Sequence, residues 1–595
     1  MITLELKPTH KIVKDYYQHI FELQNSGRTK EGSVSPAFAN VLRYCAGQVK
    51  LRFIEQESIP RGEKRIQVDG ILLDDDDLRY GIWEAKDIQD DIDKEINAKF
   101  EKNYPRDNIL FQSPNVLVLY RGGEKPIFYE SIQNSPENLV TGLKLFFNYR
   151  KPEVAEWKEV SANFQGQIAE LGQKLVEVIE NEYKTNRQFH QTFDDFTELC
   201  RSTINPNLAI SAIQEMLVQH LLTERVFRTV FNNPDFVDKN IIALEIEKVI
   251  RALTAQSFSR AEFIKNNQLD RFYVALEQAA GTIEDFAEKQ PFLNTVYEKF
   301  FQGFAVKVAD THGIVYTPQP IVEFMVKSVE EILQREFKRS LADKGVHILD
   351  PFVGTGNFII RILREINALN PFHLEAKYLT ELHCNEVLLL PYYIASMNIE
   401  HEFYELSGRY KPFTGICLAD TFELTEGHQR ELFVPENMAR VLQQKEAPIF
   451  VIIGNPPYNV GQVNENDNNK NRKYPKLDNL VKDGYAKDSK ATNKNALSDV
   501  YVKAFQWATW RLKDKTEGIV AFVTNNSFLE SIAFDGMREH LARDFDKMFI
   551  VDLGGNVRKN PKLSGTKHNV FGIQVGVSVI FLIKGGLCAV ERESG

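Results

Sequence analysis

Four apolar runs in the second half of the chain lead into polar side chains at nearly equal intervals. Asp350 closes HILD, Glu386 follows a strand-like run, Asp420 closes ICLAD and Asn455 closes FVIIGN, with separations of 36 (386 − 350), 34 (420 − 386) and 35 (455 − 420) residues. That interval is one strand plus one returning helix. From about Gly313 onward such runs, with GIVAFVT and VSVIFLIK, alternate with longer helical patterns. The alternation predicts an α/β fold with a mostly parallel, doubly wound, Rossmann-like sheet, and a ligand at the strand ends.

The residues at those ends describe a nucleoside pocket. In HILDPFVGTGNFIIRIL, Asp350 ends a strand, and Gly354 and Gly356 let a ligand approach the backbone. A glycine loop alone also serves nucleotides and flavins. Glu386 is placed to accept hydrogen bonds from two ribose hydroxyls, and Asp420 from an exocyclic amino group of adenine. Phe358, after the loop, is either an apolar contact on the cofactor or a core phenylalanine.

The decisive element is Asn455-Pro456-Pro457-Tyr458. Two prolines remove backbone donors and stiffen the turn, so that the Asn455 amide oxygen and the Pro456 carbonyl both point outward as acceptors. Two fixed acceptors bind one planar amino group. Drawing on both of its hydrogens pushes lone-pair density onto nitrogen and makes it a nucleophile toward a methyl group held in line on sulfonium. Tyr458 would stack on the base.

Here the chain resembles the N6-adenine DNA methyltransferases whose cofactor motifs precede NPPY. The resemblance reaches upstream to GIVYTPQPIVEFMV, where Tyr316, Thr317 and Pro318 match the segment near the methionine end of S-adenosylmethionine. Downstream it takes in SDVYVKAF, IVAFVTNNSFLE and NVFGIQVGVSVIFLIK, about Thr311 to Lys584 in all. It implies S-adenosylmethionine as cofactor, double-stranded DNA as partner, and a target adenine rotated out of the stack to reach Asn455.

A second constellation lies near the N-terminus. RIQVDGILLDDDDLRYGIWEAKD puts Asp69 at the end of one strand pattern and Glu84-Ala85-Lys86 on the next, with an acidic, solvated turn between. Adjacent strands can bring both carboxylates to one Mg²⁺ while Lys86 orients or deprotonates the attacking water. The pattern resembles the PD-(D/E)xK nuclease fold, without the proline before Asp69. With a methyltransferase behind it, the chain resembles fused type IIG and related single-polypeptide restriction-modification enzymes. Glu31 and Gln112 are read as surface residues rather than as a further metal ligand and a phosphate contact.

Three domains are expected: a nuclease-like α/β domain over 1–150, a helical connector over 151–308 that includes IIALEIEKVIRALT, and a methyltransferase domain over 309–595. Gly461 to Asp499, with NENDNNKNRK, reads as a long mobile loop. A net charge of −10 does not exclude DNA, because it averages over domains whose sites need carboxylates. The five cysteines lack zinc spacing and are expected as free thiols. With no basic-then-apolar leader and no run of about 18 apolar residues, a cytoplasmic protein away from the membrane is expected.

No GxxxxGK[ST] loop is present, so no ATP-driven motor is expected. Little follows VIFLIK that could read bases, which points to a truncated chain or to a separate specificity subunit. Two alternatives remain open: an NPPY methyltransferase acting on RNA or on protein glutamine, and a catalytically inactive DNA-binding subunit of a restriction complex.

Overall fold

A computed structural model of the chain describes residues 3–27, 30–61, 64–76, 78–102, 104–149, 151–165, 167–203, 208–230, 240–283, 317–426, 435–457, 473–554 and 576–585, with isolated positions 289, 292, 295 and 296. Contacts divide it into two compact units, Met1–Gly166 with Gln268–Phe300, and Gln167–Asn267 with Phe301–Gly595.

The first unit holds a six-stranded sheet, β1 (Arg52–Arg61) through β2 (Lys64–Leu73), β3 (Arg79–Ala85), β4 (Ile109–Gln112) and β5 (Val116–Tyr120) to β6 (Phe128–Ser131), in that spatial order. Neighbours are antiparallel except β3 and β4, whose parallel pairing needs the crossover that contains the helix Ile92–Glu101. Side chains alternate between two cores. Leu72, Trp83, Leu110 and Leu119 join one with the helices Lys11–Asn25, Glu31–Gln48 and Pro136–Phe147. Ile71, Ile82, Phe111 and Val118 join the other with Ile92 and Ile96. Asp69 and Glu84 share the parity of Ile71 and Ile82, so they belong to the face covered by the helix Ile92–Glu101.

Helices Pro152–Gln165 and Leu269–Gly281, far apart in sequence, pack together in this unit, with Phe164 stacked on Phe272 at 3.9 Å between ring centres. Within the DDDD run, a turn, Asp74 and Asp76 are buried rather than solvated, while Asp75 is exposed and Asp77 lies outside the described residues. Lys158 lies 3.3 Å from Asp74 and 2.5 Å from Asp76, it also pairs with Asp75, and Trp157 Nε1 donates to Asp76 at 3.1 Å. The acidic run therefore ties the helix Pro152–Gln165 to the β2–β3 connection.

The second unit carries a seven-stranded sheet: β7 (His347–Asp350), β8 (Leu382–Glu386), β9 (Ile416–Leu418), β10 (Ile449–Gly454), β11 (Gly518–Asn525), β12 (Lys547–Gly554) and β13 (Val577–Lys584), in the order β12-β13-β11-β10-β7-β8-β9. The five strands from β11 to β9 are parallel, and β13 and β12 add antiparallel. This is the expected mostly parallel sheet. Helices Ile168–Thr185, Arg187–Thr203, Ile210–Thr229, Ile241–Leu253 and Arg260–Asn266 belong to the same unit, where His220, buried on the third of them, lies 3.1 Å from the Tyr393 hydroxyl.

The stretch expected as a loop is folded over 473–499. Tyr474, Leu477, Val481, Tyr485 and Leu497 are buried in the same core as β10 and β11, and Pro475–Val481 is helical. Their helical spacing was masked by the surrounding lysine, asparagine and aspartate. Cys45, Cys200, Cys384 and Cys417 are buried free thiols; Cys588 lies outside the described residues. Among the described residues no helix is long and apolar enough to cross a membrane.

Candidate functional site

β7 and β10 are neighbours, and the chain leaves them in opposite directions, toward β8 and β9 on one side and β11 on the other. Such a reversal opens a crevice beyond the carboxyl ends of the strands. Asp350 and Asn455 flank it. Asp350 is fully buried, its Oδ1 accepts the Phe352 amide at 3.0 Å, and its Oδ2 has no hydrogen-bond partner. Burial pushes its carboxyl up to about 8, the Phe352 amide opposing and nearby Glu386 adding. A Cβ on Gly454 would lie 2.7 Å from Asp350 Oδ1, so glycine is what lets β10 pass this carboxylate.

Gly354 and Gly356 have φ of +55° and +97°, a region that side chains strain to enter. A Cβ at Gly354 would meet nothing within 4 Å, so the loop is open on that side. Its amide donates to Glu386 Oε2 at 3.0 Å, while the Val387 and Leu388 amides donate to Oε1 at 2.9 Å each. Glu386 thus fastens the loop to the helix Leu389–Ser407. Burial still pushes it up to about 7 against those three amides. Asp420 is buried too, accepting from the Phe422 amide and the Tyr474 hydroxyl at 3.0 Å each.

Buried carboxylates beneath an open glycine loop, one with an oxygen lacking any donor, suit a ligand that brings positive charge and hydroxyl donors. S-adenosylmethionine has both, as sulfonium and ribose diol, so the residues present fit it. Phe358 is buried on the first turn of the helix Asn357–Leu369.

Asn455 follows β10 directly, half-buried, with Pro456 buried behind it. Its Nδ2 donates to Thr317 Oγ1 at 3.0 Å, which turns the amide nitrogen toward Thr317 and the oxygen away from it. This link between the upstream segment and the NPP turn was not legible in the sequence. Thr317 and Pro318 lead into the helix Gln319–Ile332. Tyr316 and Tyr458 lie outside the described residues.

In the first unit, Asp69 Oδ2 accepts the Ala85 amide at 2.9 Å, bringing the end of the β2 motif to the β3 motif. Glu84 is fully buried, and its Oε1 has no hydrogen-bond partner. Lys99 Nζ lies 2.5 Å from its Oε2 and Lys86 Nζ 3.5 Å. Burial raises the Glu84 pKa, Lys99 opposes, and Asp69 adds to the rise. An interior carboxylate next to a second one, with an oxygen lacking a donor, fits a divalent cation. Lys86 is buried, donating to the Ala85 carbonyl at 2.6 Å. Gln112 is buried next to this strand end rather than on the surface, because its carbonyl receives the Lys86 amide at 2.8 Å. Lys99, on the helix after the motif, was missed: a lysine three residues after a buried isoleucine looks like any solvated helix face.

A family model described as "Type ISP restriction-modification enzyme, coupler domain" matches residues 160–288, and one described as "N-6 DNA Methylase" matches residues 288–493. Among solved structures, DrdV in a DNA complex is similar at 37% identity over 96% of this chain and 56% of that one, with a TM-score of 0.68. The ATP-dependent Type ISP restriction-modification enzyme LlaBIII bound to DNA is similar at 33% identity over 76% of this chain and 31% of that one, TM-score 0.66. A nuclease-deletion mutant of the Type ISP enzyme LlaGI, with a DNA substrate mimic, is similar at 35% identity over 71% and 34%, TM-score 0.63. The chain thus spans 56%, 31% and 34% of the lengths of these relatives.

Proposed function

This chain belongs to the Type ISP restriction-modification enzymes, through a coupler domain followed by an N-6 DNA methylase domain, and from that premise we propose that it methylates N6 of adenine in double-stranded DNA. The observation that carries the reading is Asn455, oriented by Thr317 at the end of β10 beside the Asp350–Glu386 crevice. When bound there, S-adenosylmethionine supplies an electrophilic methyl on sulfonium. Glu386 would accept from the ribose, Asp420 from the adenine amine, and Asp350 would support the cationic end. The Asn455 oxygen and the Pro456 carbonyl would accept both hydrogens of the target amine and so raise the nucleophilicity of its nitrogen. Tyr458 stacks on the rotated base.

The same reading makes the first unit a Mg²⁺-dependent endonuclease. Asp69 and Glu84 would hold the ion, which supplies Lewis-acid polarisation of the phosphodiester and a more acidic water. Lys86 orients the nucleophile. Supporting this, the LlaGI structure is that of a nuclease-deletion mutant, so that Type ISP relative carries a nuclease.

The test is tritium transfer from labelled S-adenosylmethionine to mixed-sequence duplex DNA, digested to nucleosides. N6-methyladenine that vanishes in Asn455→Ala is expected. Label in RNA or protein glutamine, and none in DNA, would overturn the DNA reading.

A further inference from the structure

We propose that Lys99 is a built-in counter-cation of the cleavage site, holding Glu84 in the metal-free protein, and that its ammonium must leave Glu84 for Tyr104 when a divalent cation binds. The inference rests on the nuclease reading above and adds a residue and a switch to it.

Lys99 belongs to the last turn of the helix Ile92–Glu101, which covers the same sheet face as Asp69 and Glu84. Its Nζ lies 2.5 Å from Glu84 Oε2, closer than Lys86 of the motif at 3.5 Å. A permanent structural pair in the interior is expected to satisfy the remaining lone pairs of its carboxylate, because an unsatisfied buried charge is costly. Here it does not: the ammoniums reach Glu84 Oε2, Oε1 has no hydrogen-bond partner, and Asp69 faces the same group. One ammonium neutralises one oxygen of a two-carboxylate site and leaves the site short of positive charge.

The second partner is already in place. Lys99 Nζ donates to the Tyr104 hydroxyl at 3.0 Å and sits 4.5 Å from the centre of the Tyr104 ring. That hydroxyl is fixed by its own donation to the Gln67 carbonyl at 2.6 Å, on the strand that carries Asp69. An ammonium displaced from Glu84 thus keeps a hydrogen-bond acceptor and an aromatic face. Lys99 is a positioning residue: it holds the Glu84 carboxylate in place in the metal-free site, and it opposes cation entry by charge.

The experiment measures Mn²⁺ binding to the whole chain by the loss of the free-ion paramagnetic resonance signal, without DNA, so that cleavage is not the readout. Lys99→Met should tighten Mn²⁺ binding by about tenfold or more, since a like charge no longer competes for Glu84. Tyr104→Phe should weaken it, because the displaced ammonium loses its acceptor, and Lys99→Arg should stay close to the parent. Glu84→Gln should abolish the site in every background. A merely structural pair predicts weaker or unchanged binding for both Lys99→Met and Tyr104→Phe, and that result overturns the proposal. Circular dichroism identifies a variant that has not folded; if Lys99→Met is one, Lys99→Gln takes its place, with the same tightening expected and weaker or unchanged binding overturning the proposal. If Mn²⁺ binds with no dependence on Glu84 in the parent, the nuclease reading fails as well. Glu84-dependent binding that Lys99→Met leaves unchanged removes this inference alone.

Discussion

Asn455 and Thr317 stand 138 residues apart, and one hydrogen bond between their side chains decides which way the carboxamide faces. Replacing Thr317 by valine keeps the volume and removes the acceptor. The amide then loses its fixed orientation, and methyl transfer should fall about 100-fold, with Thr317→Ser close to the parent, in single-turnover assays with saturating cofactor. Asp350 and Glu386 make the cofactor crevice pH-sensitive, since burial pushes them up to about 8 and about 7. With folded-state values raised above those of the unfolded chain, their contribution to stability is full below the ordinary carboxylate range and is lost as pH rises through about 7 and 8. Cofactor affinity has the opposite slope, because the ionised forms accept hydroxyl donors and attract sulfonium. Calorimetric titration with a non-reactive cofactor analogue should show affinity rising from pH 6 to pH 8, and a smaller rise in Glu386→Gln. A flat profile in the parent would remove the assigned roles of both acids.

At the level of elements, β10 and the β2–β3 connection show how local sequence serves a distant partner. Gly454 closes β10 where Asp350 Oδ1 would meet a Cβ at 2.7 Å. Gly454→Ala should therefore lower stability by about 1–3 kcal/mol, read from denaturant unfolding, and weaken cofactor binding through Asp350. The buried Asp74 and Asp76 share Lys158 with the helix Pro152–Gln165. Removing one side of such a pair strands the other charges, so Lys158→Met should cost about 3–5 kcal/mol in the unfolding of the first unit. An unchanged midpoint would mean that the helix is held by Trp157 and Phe164 alone.

For the molecule as a whole, the two constellations lie in separate compact units, each with its own sheet. Glu84→Ala should abolish DNA cleavage and leave methyl transfer intact, and Asn455→Ala should do the reverse, when both are assayed on the same preparations. What the sequence by itself determined was the strand-and-helix alternation, the residues at the strand ends and the presence of two constellations. Strand patterns and turn residues are local, and a polar side chain ending an apolar run is visible without its neighbours. Only the tertiary structure decided which strands adjoin, that the acidic turn is also a clamp on Lys158, that Tyr474 to Leu497 belong to a core, and that Lys99 reaches Glu84 and Thr317 reaches Asn455. Each of these pairs a residue with a partner from another element, and hydrogen bonds and ion pairs depend on distance in space, which spacing along the chain does not encode.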